Sequence, residues 1–233
     1  ARVGVLGGYS YTNVWDDSNS FKTDSNSYFA GAYGQYDFGR VKLAASLIGG
    51  YEDHNNSRLV YDNLRENDEH ARADFGSVFI SPSVTASADY YAVAQRLLLR
   101  PSATVVYSAG FYEGYDESGT SMSDLEIDDR RLQAVNGTVQ MTAAYKVTKW
   151  CEFGVSACGN ARYTDNGSVR ARRLNTHGKF RFDTVNDDSV YSGELGGHLS
   201  VNVNDRLDLY ANGKYTRAGG DETEQLYMAG LNF

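Results

Sequence analysis

Apolar and polar residues alternate along this chain in segments of about ten residues, and this period constrains the fold more than any other feature. In the segment VGVLGGYSYTNV, one parity holds Val3, Val5 and Tyr9, and the other holds Ser10 and Thr12. Successive side chains of a strand point to opposite faces, so the period predicts an all-β, antiparallel fold. The alternating segments are residues 2–14, 27–38, 41–53, 75–88, 97–115, 132–145, 150–163, 191–203, 207–216 and 224–233.

The connections between these segments alternate in length, so the short turns would lie on one side of the fold and the long loops on the other. The short connections fall at residues 39–40, 89–95, 147–148 and 204–206, and the remaining ones are mostly long, polar and charged. Segregation of loop lengths by side is typical of outer-membrane β-barrels. We therefore expect an antiparallel transmembrane β-barrel with about ten strands visible, its long loops extracellular and both termini periplasmic.

The counts of individual residue types favour this fold, although the averages over the chain do not. A mean hydropathy of −0.49 and a net charge of −8 would suit an acidic soluble protein. However, 18 Tyr, 24 Gly and only 2 Pro favour a barrel with aromatic girdles. The sequence has no apolar run of about 18 residues, but a membrane-spanning strand needs only ~10 residues of alternating character. The parity rich in Gly, Ser, Thr and Asn is expected to line a hydrated lumen, and the apolar parity to face lipid.

Charged residues of the polar parity form the candidate lumen site. Their mixed signs favour a polar pore lining, ion pairs that hold a plug, or mutual pairing across neighbouring strands. The candidates are Lys42, Arg100, Glu152, Arg162, Glu194, His198, Asp208 and Lys214.

Cysteine and proline positions give two local predictions. Cys151 and Cys158 share one predicted strand, where seven rises of ~3.3 Å and opposite parity keep them too far apart for a disulfide. We expect two free thiols. Pro82 and Pro101 each remove a ladder donor from neighbouring strands, which predicts a bulge or a local gap.

Catalytic motifs are weak in this sequence. Of the four histidines, only His198 is expected to face the lumen, and the others lie in or beside predicted loops. A barrel protease of the omptin type would need acid–histidine pairs at the mouth, and the pairs Asp53–His54 and Glu69–His70 are the candidates. Adjacent loop residues of this kind are more often solvated surface. We expect no catalytic or metal-binding residue and no cofactor.

Charge is uneven between two of the long loops. Residues 113–129 carry seven acids and no base, and residues 169–182 carry five bases and no acid. The acidic loop could bind divalent ions beside lipopolysaccharide, and the basic loop could meet its phosphates. Simple hydrophilicity and a salt bridge between the two loops are the alternative interpretations.

Several segments resemble a known family in their order along the chain. RVGVLGGYSYTNV followed by SNSYFAGAYGQYDFGRVKLAASLIGGYED resembles the autotransporter β-domain of type V secretion, as does LLLRPSATVVYSAGFYEGYDESG with its Pro101. The ending LYMAGLNF resembles the insertion signal shared by most outer-membrane barrels. In that signal Tyr227, Ala229, Leu231 and Phe233 would face lipid or the barrel-assembly machinery.

This resemblance implies a translocator that anchors in the outer membrane of a Gram-negative bacterium and secretes or displays an N-terminal passenger. The family barrel has twelve strands and a linker helix in the lumen. Residues 1–233 would form one barrel domain. Its first segment matches the third strand of the family barrel. Two strands, the helix, the passenger and any cleavage site would lie upstream.

The implied partners are outer-membrane lipid, lipopolysaccharide, the assembly machinery and the chain's own passenger, with no nucleic acid. A stand-alone outer-membrane pore or adhesive surface barrel is the main alternative. An omptin-type protease is the other.

Overall fold

The computed structural model describes residues 1–16, 20–62, 66–165, 168–174, 179–183, 188–204, 207–218 and 223–232. Strands dominate these ranges, which hold no helix of the length and apolarity needed to cross a bilayer. The strands are β1 (Arg2–Trp15), β2 (Phe21–Phe38), β3 (Val41–Asp62), β4 (Asn67–Ala88), β5 (Tyr90–Ala92), β6 (Leu97–Tyr112), β7 (Tyr115–Asp116), β8 (Leu125–Ile127), β9 (Arg130–Lys146), β10 (Cys151–Asp165), β11 (Ser168–Arg173), β12 (Lys179–Asp183), β13 (Asp188–Asn204), β14 (Leu207–Ala218) and β15 (Thr223–Asn232).

Ten of these strands form one antiparallel sheet in which neighbours in sequence are neighbours in space. The order is β1-β2-β3-β4-β6-β9-β10-β13-β14-β15, and β5 continues β4 along β6. This confirms the predicted all-β architecture and its number of strands. Among the described residues, β1 pairs only with β2 and β15 only with β14, so these two strands are the edges of the path.

The sheet presents its apolar face to the surroundings. Val3 and Val5 of β1 are each 85% exposed, and Tyr227 of β15 is 75% exposed. On β3 the exposed apolar residues form a band from Val41 to Tyr51, about the ten residues that cross a bilayer in an outer-membrane strand, and Tyr61 is exposed beyond this band. An apolar surface this continuous needs lipid or a partner to cover it.

A row of tyrosines marks one end of this apolar band. Tyr9, Tyr28 and Tyr51 are paired across β1, β2 and β3, and the rings of Tyr9 and Tyr28 lie 5.3 Å apart. Tyr36 and Phe38 form a ring pair at the opposite end, with centroids 4.5 Å apart. Aromatic residues at both ends agree with the interfacial girdles predicted from the sequence.

The strands β3 and β4 extend well beyond the band, where the sequence analysis expected a loop. Their ladder continues past Tyr51 to the pair Asp62 and Asn67. The alternating pattern ends near residue 53 because both faces of the hairpin are polar outside the membrane. Backbone pairing does not need an apolar face, so it continues where the sequence signal stops.

Two other predicted loops are also partly folded. A small antiparallel sheet in the order β12-β11-β8-β7 joins residues 113–129 to residues 168–183. Arg172 forms an ion pair with Glu126, and Lys179 Nζ lies 3.1 Å from Asp128 Oδ2. Two ion pairs therefore join the acidic and basic loops, in agreement with one of the alternative interpretations of their charge.

Both prolines interrupt the ladder between β4 and β6. In the described part of this hairpin, the ladder skips the positions of Ser81 and Pro82, and it breaks again at Asp89, next to the position opposite Pro101. The register is the same on both sides of the breaks, so the predicted gap is confirmed without a bulge. A proline has no N–H to donate, which accounts for the missing backbone bonds.

Side chains bridge the strands where the ladder is broken. Ser81 Oγ lies 3.0 Å from Ser108 Oγ at the first gap. At the second gap, Arg100 Nε donates to Asp89 Oδ1 at 2.6 Å, and Lys42 Nζ of β3 donates to Asp89 Oδ2 at 2.5 Å. Asp89, which is 5% exposed, thus joins three neighbouring segments of the sheet.

We predict that Asp89→Asn destabilises the folded protein. Removing one partner of a buried ion pair costs ~3–5 kcal/mol, and the partial exposure of both cations reduces this to about 2 kcal/mol. The midpoint temperature for loss of the compact, SDS-resistant band on unheated gels should fall by several degrees. The matched control is Asp53→Asn, because Asp53 is exposed on the apolar face and its side chain bonds to Tyr51 alone among the described residues. Equal midpoints for the two variants would contradict this assignment.

Candidate functional site: the polar face of the sheet

Short polar side chains line most of the polar face and bond to each other across the strands. Ser46 and Ser83 are 2.7 Å apart, and Thr85 and Thr104 are 2.9 Å apart. In both pairs the two residues are directly opposite each other in the ladder, and their side chains point to the polar face of the sheet. The face is therefore hydrated yet internally bonded, as a lumen lining would be.

Lys42 and Arg100, two of the predicted lumen charges, converge on Asp89. The pairing holds both cations at the end of the face near the short turns. Sequence reasoning missed Asp89 because it lies in a predicted turn rather than in an alternating segment. The signal that could have identified Asp89 is its position next to the residue opposite Pro101, where the proline leaves the ladder without a backbone hydrogen bond.

Four further candidates form two pairs across neighbouring strands. Lys214 Nζ lies 2.9 Å from Glu194 Oε1, and His198 Nε2 lies 3.6 Å from Glu152 Oε1. Each pair joins β13 to an adjacent strand. Mutual pairing across strands was one of the interpretations left open by the sequence, and the structure supports it for these four residues.

Arg162 differs from the other candidates. Its side chain is exposed on the polar face of β10, opposite Asn136 and Val190, and it has no ion-pair or hydrogen-bond partner among the described residues. The side chain of Asp208 lies outside the described part of the chain. Among the predicted lumen charges whose side chains the structure describes, Arg162 is thus the one without a partner among the described residues.

Large apolar residues also lie on the polar face, and the sequence analysis missed them. Phe29, Tyr33 and Phe79 belong to the polar parity of β2 and β4. The Phe29 ring covers Gly8, where a Cβ would lie 2.5 Å from the ring, so a larger residue there would require the ring to move. The alternating pattern hides such residues because the glycine opposite carries no side chain to mark the contact.

A second apolar group lies on the last strands. Tyr210, Leu226 and Met228 are 42%, 45% and 54% exposed on the polar face of β14 and β15. Leu226 and Met228 line a cavity of ≈ 250 Å³ together with Lys214 and His198. Apolar and charged groups are therefore combined in one concave surface.

At the end of the face near the long loops, His54 lies inward, which corrects the prediction that only His198 does so. Its Nδ1 is 2.7 Å from Ser25 Oγ and its Nε2 is 2.9 Å from Ser77 Oγ. The His54 ring stacks on Phe75 at 4.8 Å. His54 lies beyond the apolar band, and burial lowers its pKa, although Glu52 opposes this effect.

The two candidate acid–histidine pairs are not brought together. Asp53 receives a hydrogen bond from Tyr51 on the apolar face, whereas His54 points to the polar face. Glu69 accepts a hydrogen bond from Ser121, and it has the parity opposite to that of His70. Neighbours in a strand point to opposite sides of the sheet, which accounts for both separations.

Above the tyrosine row, the apolar face becomes polar within one or two residues. Tyr11 donates to Asp24 at 2.6 Å, and Lys22 Nζ lies 2.8 Å from the same carboxylate. Hydrogen bonds from Lys22, Tyr11 and Asn13 lower the pKa of Asp24 to about 2. The carboxylate is therefore charged at neutral pH, which fits a position outside the membrane.

The C-terminal signal is only partly described. Tyr227 and Ala229 are exposed on the apolar face of β15, in agreement with the predicted parity. Leu231 has a described backbone position opposite Leu209, but its side chain and the whole of Phe233 lie outside the described residues.

Cys151 and Cys158 are free, as predicted.

Comparison with known proteins identifies the family. The family model of the autotransporter β-domain matches residues 1–214. No curated protein matches the sequence. Among solved structures, the translocator domain of the autotransporter NalP from Neisseria meningitidis is 13% identical, with a TM-score of 0.62, over 92% of this chain and 68% of that chain. At this identity the likeness shows the fold alone.

Two further solved structures resemble the chain less closely. The transport unit of AIDA-I from Escherichia coli is 12% identical, with a TM-score of 0.39, over 99% of this chain and 89% of that chain. The β-domain of the Bordetella autotransporter BrkA is 12% identical, with a TM-score of 0.39, over 99% of this chain and 91% of that chain. The family match over most of its length shows that this chain belongs to the autotransporter β-domain family and forms the outer-membrane translocator barrel of an autotransporter.

Proposed function

We propose that the barrel holds the segment connecting it to its passenger against the polar face of β10, β14 and β15. The observation that carries this proposal is Arg162, which is exposed on the lumen side without a partner among the described residues. The other described candidates are already paired, so they have less charge to offer a ligand. An acidic side chain of the connecting segment would complete the charge pairing at Arg162.

The apolar group on the last strands supports the same proposal. Leu226, Met228 and Tyr210 are exposed to the lumen, where water alone would be a poor neighbour. A helix with one apolar face and an acidic residue fits this surface in polarity. The role is physical, since we assign no residue of this chain to making or breaking a bond.

We predict that Arg162→Glu in the full-length protein lowers passenger display at the cell surface. Loss of ~1.4 kcal/mol of interaction corresponds to about tenfold in an equilibrium, and charge reversal adds repulsion. Display is measured by protease accessibility of the passenger on intact cells, normalised to the amount of folded barrel. Arg162→Lys should retain most display.

The matched control is Arg40→Glu, which makes the same charge change in the exposed turn between β2 and β3. Parental display in Arg162→Glu, or an equal loss in both charge-reversal variants, would contradict a specific role for Arg162.

We also propose that the long loops are extracellular and the short turns periplasmic. The support is that β3 and β4 extend beyond the apolar band on one side only, whereas the turn at Gly39 and Arg40 closes directly at the band. The polar surface around Asp24 would then lie at the level of the lipopolysaccharide headgroups.

Cysteine labelling tests this orientation. In a Cys151→Ser/Cys158→Ser background, Met122→Cys places a thiol on the segment between β7 and β8, where the native side chain is 57% exposed. Val147→Cys places one in the turn between β9 and β10, where the native side chain is 53% exposed. On intact cells, a membrane-impermeant maleimide should label Met122→Cys alone and reach Val147→Cys only after permeabilisation. The reverse pattern would invert the orientation.

We propose that the barrel-assembly machinery recognises the C-terminal strand. Tyr227 supports this because its side chain is largely exposed on an edge strand. We predict that Tyr227→Ala lowers the yield of folded barrel in the outer membrane more than Tyr215→Ala, which removes a tyrosine from the same face of β14. Heat-modifiable band intensity measures the yield. Equal losses would mean that the two residues serve only as membrane anchors.

We propose further that additional strands complete the barrel between β1 and β15. The support is that each of these strands has one edge without a partner among the described residues, and a bilayer does not tolerate open sheet edges. The family barrel would supply two strands and a linker helix upstream. Cross-linking of single cysteines on β1 to such a strand in the full-length protein would test this arrangement.

A further inference from the structure

One cation lies on the apolar face of the sheet where the apolar residues of β9 end. On that face of β9, every residue from Tyr145 to Val135 is apolar, Gln133 is the first polar one and Arg131 the first charged one. The side chain of Arg131 is exposed, and it forms no ion pair with any described carboxylate. This charge at the boundary of the apolar band therefore has no counter-ion in the described part of the chain.

Neighbouring side chains hold the guanidinium of Arg131 against the sheet. Its Nη2 donates to the Tyr107 hydroxyl at 3.2 Å, and its Cζ lies 5.0 Å from the centre of the Phe111 ring. The Tyr107 hydroxyl in turn donates to Gln133 Oε1 at 2.7 Å. Ala109, opposite Gln133 on the same face, is only 3% exposed, so the surrounding side chains cover it. The position of the cation is therefore fixed by contacts before any ligand binds.

Most of the guanidinium's hydrogen-bond donors remain available to a ligand. The contact with Tyr107 uses one N–H group, and a guanidinium carries several more in a planar fork. Glu113 follows Phe111 by two residues, but its carboxylate lies over Gly76, where a Cβ would be 3.0 Å from Glu113 Oε2. A planar fork of donors matches the oxygens of a phosphate group. The local chemistry therefore favours a phosphate as the partner of Arg131.

A depression in the apolar face lies on the same strands, further into the apolar band. Its volume is ≈ 570 Å³, and small residues of β6, β9 and β10 form its floor between larger ones. A Cβ added at Gly159 would meet no heavy atom within 4 Å, so the described protein leaves this space open. The floor and rim residues are Ala103, Gly137, Gly159 and Ala161, with Val105 and Tyr191.

We infer that Arg131 and this depression form a binding site for a phosphate-bearing lipid. The phosphate binds the guanidinium, and an acyl chain lies in the depression. Charge complementarity selects the headgroup, and the open apolar space on the same strands accommodates the chain. We assign the lipid as lipopolysaccharide, whose lipid A moiety carries both phosphates and acyl chains. This assignment rests on the orientation proposed above, which puts the Arg131 end of β9 in the outer leaflet.

Native mass spectrometry of the full-length protein in detergent, titrated with lipid A, tests the headgroup contact. Arg131→Gln should bind at least about tenfold more weakly, because one charge-assisted contact is lost. Arg131→Lys should retain most of the affinity. The matched control is Arg72→Gln, because Arg72 is exposed on the same face of β4 beyond the apolar band. Parental affinity in Arg131→Gln, or an equal loss in Arg72→Gln, would overturn the site.

Filling the depression tests the acyl-chain contact with Arg131 intact. Gly159→Val should weaken lipid A binding at least about fourfold, the fold-change that corresponds to one buried methylene group. Gly34→Val is the matched control, since Gly34 lies on the same face of β2, where a Cβ would meet Val3 at an ordinary 3.7 Å. The heat-modifiable band gives the folded fraction of each variant. Equal affinities in the two glycine variants would contradict a bound chain.

Two further probes identify the source of the phosphate. Inorganic phosphate should not displace lipid A, and its displacement of lipid A would show an anion site without a lipid. Phosphatidylglycerol should bind more weakly than lipid A. If phosphatidylglycerol binding depends on Arg131 and lipid A binding does not, the assignment to lipopolysaccharide is wrong.

These outcomes are distinguishable from failure of the proposed function. Arg131-dependent binding of lipid A together with a reversed maleimide-labelling pattern would contradict the proposed orientation and leave the binding site intact. Parental display in Arg162→Glu would contradict the holding of the connecting segment in the lumen. Neither result would change the affinity of the outer face for lipid A.

Discussion

The rest of this structure depends on one constraint, which is that backbone N–H and C=O groups inside a bilayer must bond to each other. The continuous antiparallel ladder from β1 to β15 meets this need without any helix in the described residues. Where proline removes a donor, side chains restore the connection, as Ser81 and Ser108 do at one gap and Asp89 does at the other. The ladder leaves each strand one face for lipid and one for the lumen.

That division predicted most of the fold from sequence, because a period of two is visible wherever one face is apolar. The pattern identified ten strands and the residues of each face. It stopped where both faces became polar, so the extension of β3 and β4 past Tyr51 and the short strands β7, β8, β11 and β12 were missed. Those segments are held by backbone pairing and by charges such as Arg58 and Glu117, which leave no periodic trace.

The polar face was predictable in outline and less so in its contacts. Parity put the described charges on the polar face of the sheet, but it could not tell which of them are paired. Lys42 and Arg100 converge on Asp89, a turn residue outside any alternating segment, and only the folded register brings the three together. Glycines hid the inward aromatic residues Phe29 and Tyr33. Arg162 emerges as distinct only once the pairing of the other charges is known.

The central claim is that the apolar parity faces lipid and the polar parity faces a hydrated lumen, and a spin-label scan along β3 tests it most directly. Single labels at positions 43–48 in a cysteine-free barrel would be measured for collision with oxygen, which partitions into lipid, and with a water-soluble nickel chelate. The account predicts alternation with a period of two, with oxygen favoured at Leu43, Ala45 and Leu47 and nickel at Ala44, Ser46 and Ile48. Accessibility without alternation, or with the two parities exchanged, would contradict it.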